Sequence, residues 1–145
     1  MQRNEETIND GMDMAIISFD KKNCKLDFAG AYNPLYVVRN GEVFAYKGDR
    51  FPIGMTAIGD KKSFTNQSID IQSGDMIYMC SDGYADQFGS ADIKKYKSGN
   101  VKKLLSEIYH LPVNEQRERL KNEITEWRGE LQQVDDILFI GTKIP

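Results

Sequence analysis

Asp75-Met76-Ile77-Tyr78-Met79-Cys80-Ser81-Asp82-Gly83 is a strongly apolar run that ends on a carboxylate and a glycine. Met76 to Cys80 is apolar on both alternating faces, the pattern of a strand covered on both sides. The same reading applies to Ile137-Leu138-Phe139-Ile140, which follows Val134-Asp135-Asp136. If these two strands are neighbours, their acids converge. Carboxylates repelling one another at the rim of a core need protons, hydrogen-bond donors or a cation, and oxygen-only ligands favour hard ions such as Mg2+ or Mn2+. Asp-Gly is also a common turn dipeptide and Asp-Asp before a strand a common solvated loop. A turn or helix-cap role for Asp82 therefore stands beside the metal reading.

Upstream of this run, the apolar stretches 14–19 and 25–28 flank Asp20-Lys21-Lys22-Asn23, whose composition suits a hairpin loop. Stretches 35–38 and 43–46 join across Asn40-Gly41, where both residues tolerate positive φ. Residues 48–60, with Pro52, Gly54 and Gly59, read as a long loop before a strand over 64–71 and a turn at Ser73-Gly74-Asp75. Beyond Gly89 the period changes. Val101, Leu104, Leu105 and Ile108 share one helical face; Leu120, Ile124, Trp127 and Leu131 share another, on a helix that Pro112 can open and Gly129 can close. Glu115 and Arg119 stand i, i+4 on its solvated side. A final strand over 137–142 returns to the sheet, while residues 1–12 are polar and aperiodic, a loop or upstream tail. Several strands, a helical pair and a last strand predict an α+β layered domain, mostly antiparallel, with the helical stripes as core.

The composition excludes several functions. With 19 basic and 22 acidic residues in 145, the net charge of −3 gives no electropositive footprint for nucleic acid. No run is apolar for long enough to cross a bilayer, and the start lacks the apolar core of a signal peptide, so no membrane insertion is expected. Cys24 and Cys80 lie in apolar strand contexts and make no disulfide framework, which fits a reducing cytoplasm. His110 is the one histidine. A histidine-rich zinc site and a Ser-His-Asp triad are thus unavailable within this chain. Residues 81–87 offer acids and no Arg or Lys to make Cys80 a thiolate nucleophile. The phosphate-loop and dinucleotide fingerprints are missing, and a glycosidase would need an apolar acid pocket and aromatic platform that cannot be located. Metal-assisted hydrolysis fits best.

The residues also carry a family pattern. Asp75 to Asp86, preceded by Gln72-Ser73-Gly74, resembles the strand and Ser-Asp-Gly motif of SpoIIE (stage II sporulation protein E) type serine/threonine phosphatases, within the metal-dependent protein phosphatase 2C-like, or PPM, family. Residues 28–42 resemble that family's central hairpin, 48–54 its following loop, and 133–141 its terminal metal-bearing strand. The resemblance implies a PPM-type β-sandwich flanked by helices, with residues 1–145 as the C-terminal part of one such domain. It implies a binuclear Mg2+ or Mn2+ centre and direct attack on phosphoserine or phosphothreonine by a metal-activated water, with ions about 3.5–4 Å apart.

Carried over by position, Asp82 and Asp135 match metal ligands. Asp136 stands as a ligand or a support to one, and Asp10 falls near a third, weaker metal of some relatives. Asp13 and Asp86 would be supporting or solvent-exposed carboxylates, and Arg50 a substrate-phosphate contact or a loop salt bridge. The family's Asp-x-x-Gly-His-Gly motif, which lies upstream of these elements, is absent. That departure implies a missing bridging carboxylate, weak or no catalysis by this chain alone, and an apolar sheet edge open to self-association. The family's setting, bacterial partner-switching or sensor-linked signalling, implies a phosphoprotein substrate such as an anti-sigma-factor antagonist, met in the cytoplasm or at the cytoplasmic end of a larger sensor. The alternative is a non-catalytic phosphatase-like regulatory or protein-binding module, with Lys94, Lys95, Lys97, Lys102 and Lys103 docking an acidic partner.

Overall fold

A computed structural model describes residues 11–54 and 62–145. Its elements are β1 (Gly11–Met12), β2 (Met14–Asp20), β3 (Lys25–Ala31), β4 (Leu35–Arg39), β5 (Glu42–Tyr46), β6 (Ile53–Gly54), β7 (Gln67–Asp70), β8 (Met76–Cys80), α1 (Gly83–Asp86), α2 (Lys97–Ile108), α3 (Val113–Arg128) and β9 (Phe139–Lys143). A three-stranded sheet, β2-β3-β7, faces a four-stranded sheet, β5-β4-β8-β9; β1 and β6 form a small ribbon. Among the described residues every pairing between these strands is antiparallel.

Side-chain alternation builds two cores from the central strands. Leu35 and Val37 of β4 and Ile77 of β8 point into the sandwich, against Leu26, Phe28, Ile69 and Ile71. Tyr36, Val38, Met76, Tyr78 and Cys80 point the other way, under Val101, Leu104, Leu105 and Ile108 of α2. Strand β8 is therefore covered on both sides, as its sequence predicts. Each fully buried Leu or Phe contributes about 1.5–3 kcal/mol through burial, and two such layers order the sheet that carries the acids.

Local chemistry sets the connections. Asn40 and Gly41 have φ of 51° and 84°, the geometry a two-residue hairpin needs. The Asp20 carboxylate accepts from the Lys22 and Asn23 N–H groups and from Asn23 Nδ2, closing the first hairpin loop. Pro112 and Gly129 bound α3 as expected, Gly129 at φ 56°. Gln116 is buried within it: its amide accepts from the Tyr78 hydroxyl at 2.6 Å and donates to the carbonyls of Tyr109 and Leu111.

Four expectations are corrected. Residues 11–12, expected in a loop or tail, form β1 against β6, which itself falls inside the stretch expected as a long loop. Strand β7 begins at Gln67 rather than residue 64, because the Asp49 carboxylate takes the N–H and hydroxyl of Thr65 and Phe64 stacks on Phe51. Cys24 is exposed at φ 50° in the hairpin turn, outside the strands. The last strand, expected over 137–142, is β9 at Phe139–Lys143, and the run 137–140 is not covered on both sides: among the described residues β9 pairs only with β8, and Leu138 and Ile140 are 59% and 47% exposed. A groove of about 680 Å³ lies along it, with Ile124, Phe139 and Ile140 in its lining and Arg117, Lys121 and Arg128 of α3 beside them. Among the described residues no helix is long and apolar enough to cross a membrane.

Candidate metal centre

The antiparallel registers gather one set of chain ends. Cys80, the last residue of β8, sits opposite Phe139, the first of β9, so Asp82 and Asp135 leave neighbouring strands at the same end. Met14 at the start of β2 pairs with Ala31 at the end of β3. Ala31 in turn bridges to Asp49, next to Arg50. Asp13, Arg50 and the two acidic stretches thereby share one end of the sandwich.

The Ser-Asp-Gly triplet divides its work by residue. The Ser81 hydroxyl donates to the Asp136 carbonyl at 2.8 Å and accepts the Leu138 N–H at 3.0 Å, while the Ser81 N–H donates to the Leu138 carbonyl. Gly83 permits the contact, since a Cβ there would lie 2.5 Å from the Asp136 carbonyl oxygen. That clash involves backbone and cannot be relieved by a side-chain rotation. Gly83→Ala is expected to cost about 1–3 kcal/mol, read as a melting-temperature loss of several degrees in thermal denaturation.

Asp82 occupies the N-cap position of α1, yet its side chain caps nothing. The turn-or-cap alternative thus leaves its carboxylate unexplained. Burial, followed by the charges of Asp135, Asp86 and Asp13, pushes its pKa above the ordinary carboxylate value. Three of the candidate acids therefore act on Asp82. Asp135 accepts the Asp136 N–H through Oδ1 at 2.7 Å, and its carbonyl accepts from Gln133 Nε2. Asp86 has a cationic partner, Lys95, at 2.8 Å.

The other candidates divide differently. Asp136 is exposed and contributes its carbonyl to the Ser81 clasp; its charge is not among those that shift Asp82. Arg50 is exposed and forms no ion pair among the described residues. Asp10 lies outside the described residues. The Cys80 thiol is pushed up to about 12, by burial first and by the Asp82 charge second, which leaves it inert as a nucleophile at neutral pH. Of the lysine cluster, Lys94 and Lys95 pair with Asp92 and Asp86, and Tyr96 is buried.

Among the described residues no three His, Cys, Asp or Glu side chains come together as a complete metal cage. The donors nevertheless fit part of one. They are all hard oxygens, and Asp82 carries a repulsion that a divalent cation would relieve. Sequence reasoning missed two supports: the Ser81 clasp, and the buried Gln87 that follows α1. The first was visible as a motif without a role; the second had no sequence signal.

Comparisons with known proteins bear on the fold that carries these residues. The SiaA-PP2C domain of Pseudomonas aeruginosa superposes with a TM-score of 0.81 at 30% identity, over 92% of this chain and 51% of that one. The Mn-presoaked phosphatase domain of the cell fate determinant SpoIIE from Bacillus subtilis gives 0.67 at 17% identity, over 91% and 56%. The Mycobacterium tuberculosis serine/threonine phosphatase PstP/Ppp gives 0.61 at 19%, over 92% and 60%. The latter two identities speak for the fold alone, which is the PP2C-like α+β sandwich, and this chain spans about half the length of the first two relatives. Among curated proteins no sequence matches significantly. The family model for stage II sporulation protein E matches residues 2–145. The chain belongs to the SpoIIE family of PP2C-type phosphatase domains.

Proposed function

We propose that this chain supplies two metal-binding carboxylates, Asp82 and Asp135, to a Mg2+- or Mn2+-dependent protein phosphatase that hydrolyses phosphoserine or phosphothreonine. The observation that carries the reading is the convergence of Asp135, Asp86 and Asp13 on an Asp82 that caps nothing. When bound, a pair of such ions supplies an activated water and neutralises charge on the phosphoryl group. The chain's own residues hold the site in shape. Ser81 and Gly83 seat the 135–138 segment against β8, and Asp135 is turned by its bond to the Asp136 N–H. Arg50, exposed at the same end, is proposed to meet the substrate phosphate, Asp136 to support the ligands, and Asp10 to serve a third, weaker ion.

The substrate is proposed to be a bacterial signalling phosphoprotein, of the anti-sigma-factor antagonist kind, met in the cytoplasm. Turnover requires a carboxylate beyond those in this chain, because the Asp-x-x-Gly-His-Gly run is absent from it. Two chains distinguish this reading: residues 1–145 alone, and a version extended upstream to the length of its relatives. The extended protein is expected to hydrolyse a phosphoserine peptide only with Mn2+. Residues 1–145 alone are expected to turn over weakly or not at all, and to bind Mn2+ no tighter than roughly millimolar by calorimetry, the weak end of oxygen-ligand sites. Metal-independent turnover, or tight stoichiometric Mn2+ binding by residues 1–145, would contradict the proposal.

Self-association through an exposed sheet edge rests on a different observation. The open edge of β9, with Leu138 and Ile140 exposed, favours pairing with further β-structure, a second copy of this chain included. Sedimentation at rising concentration tests it: a mass that stays monomeric speaks against self-association.

A further inference from the structure

We infer that Gln87 is a positioning residue, one that sets where the Asp135 carboxylate stands relative to Asp82. The inference rests on the metal reading of those two acids. Gln87 closes α1, five residues after Asp82, and is 0% exposed. Its Nε2 donates to the carbonyls of Phe88 and Gln132, each at 3.1 Å, and its Oε1 accepts the Val134 N–H at 3.3 Å. Its own carbonyl accepts from the Trp127 indole at 3.1 Å and from the Tyr96 N–H at 2.9 Å. One residue thus fastens the start of α2, the end of α3 and the approach to Asp135.

That approach has little else to hold it. Residues 132–134 are exposed and belong to no helix or strand, so the Gln87 amide supplies their long-range hydrogen bonds. On the far side of Asp135, the Ser81 hydroxyl grips Asp136 and Leu138. Asp135 is bracketed by two clasps, and both are rooted in residues 81–87, the segment that carries Asp82. The separation of the two acids is therefore fixed by this bracket as well as by the sheet. A buried amide left without partners is costly, whereas a leucine would fill the same space with no polar groups to satisfy. Groups that orient metal ligands without touching the ion typically change metal affinity 10–100-fold when removed.

A stability role alone would give a different signature, and Gln116 provides the control. It is also a buried amide, 2% exposed, with three side-chain hydrogen bonds, but its partners are Tyr78, Tyr109 and Leu111, none of them in 132–138. In the upstream-extended protein, Mn2+ binding is measured by calorimetry for wild type, Asp82→Ala, Gln87→Leu and Gln116→Leu, with folding checked by circular dichroism. Gln87→Leu is expected to weaken Mn2+ binding at least about tenfold, and Gln116→Leu to leave it within about twofold while both lower the melting temperature. In turnover, Gln87→Leu should raise the Mn2+ concentration for half-activation and leave kcat at saturating Mn2+ within a few-fold. If Gln87→Leu does not fold, Gln87→Met, which keeps the length and loses the bonds, takes its place. Wild-type Mn2+ affinity in a folded Gln87 variant overturns the inference and leaves the phosphatase reading intact. Mn2+ binding that is absent from wild type, or unchanged in Asp82→Ala, overturns both.

Discussion

Asparagine at position 82 or 135 is expected to lower Mn2+-dependent phosphatase turnover of the upstream-extended protein by about a thousandfold or more. The magnitude follows from the several kcal/mol of charge stabilisation that metal ions supply in phosphoryl transfer, at about 1.4 kcal/mol per factor of ten. The same Asp82→Asn substitution is expected to move stability the other way. Burial and three neighbouring carboxylates hold the Asp82 pKa above its ordinary value. A raised carboxylate pKa means that the folded chain takes up a proton more readily than the unfolded one, so in the absence of a cation the charged form costs stability at neutral pH. Removing the charge should raise the melting temperature slightly as it abolishes turnover. A residue that mattered only to the fold would lose both together.

Methionine in place of Arg39 is expected to have the largest effect on stability, about 3 kcal/mol, the cost of stripping a partner from a buried carboxylate. Asp75 is 2% exposed and receives two bonds from the Arg39 guanidinium, at 2.9 and 2.6 Å, with a third from the Gln72 N–H at 2.8 Å. Arg39 is 27% exposed, so water reaches its outer side and keeps the cost at the lower end of the range for buried pairs. The same guanidinium donates to the Asp70 carbonyl, and the Asp75 carbonyl accepts the Ile144 N–H. The pair therefore ties β4, the turn between β7 and β8, and the end of β9. Urea unfolding measures the loss. Burial alone would raise the Asp75 pKa, but the Arg39 and Gln72 hydrogen bonds and the Arg39 charge outweigh it and hold the carboxyl below its ordinary 3.8. A depressed carboxylate pKa stabilises above the unfolded value and is lost as pH falls through the folded one. Wild type should therefore lose part of its stability only below about pH 4, and Asp75→Asn should lose that acid dependence.

The sequence was most legible where demand and supply are local. Asn40-Gly41 specifies its hairpin by backbone preference, and Pro112 and Gly129 specify the ends of α3 in the same way. The run 76–80 reads as doubly covered and is, because both layers over it come from this chain. The run 137–140 carries the same pattern and is half bare. An apolar pattern records which side chains call for cover, not what provides it, and among the described residues β9 has a neighbour on one side only. Thr65 falls within the strand expected over 64–71, and nothing in the local pattern shows the Asp49 carboxylate, 16 residues away, that claims it. Within the site, the acids were visible as residue types at strand ends. Gln87 was not, since nothing in a glutamine between Asp86 and Phe88 announces bonds to a segment 45 residues further on.

The central claim is that Asp82 and Asp135 hold the same metal centre. Crystals of the upstream-extended protein grown with Mn2+ test it by anomalous scattering at a wavelength where Mn2+ contributes strongly. Anomalous peaks within bonding distance of both the Asp82 and Asp135 carboxylates, and lost in Asp82→Asn, are the expected result. Peaks that contact neither acid, or a Mn2+ site that survives undiminished in Asp82→Asn, would contradict the account.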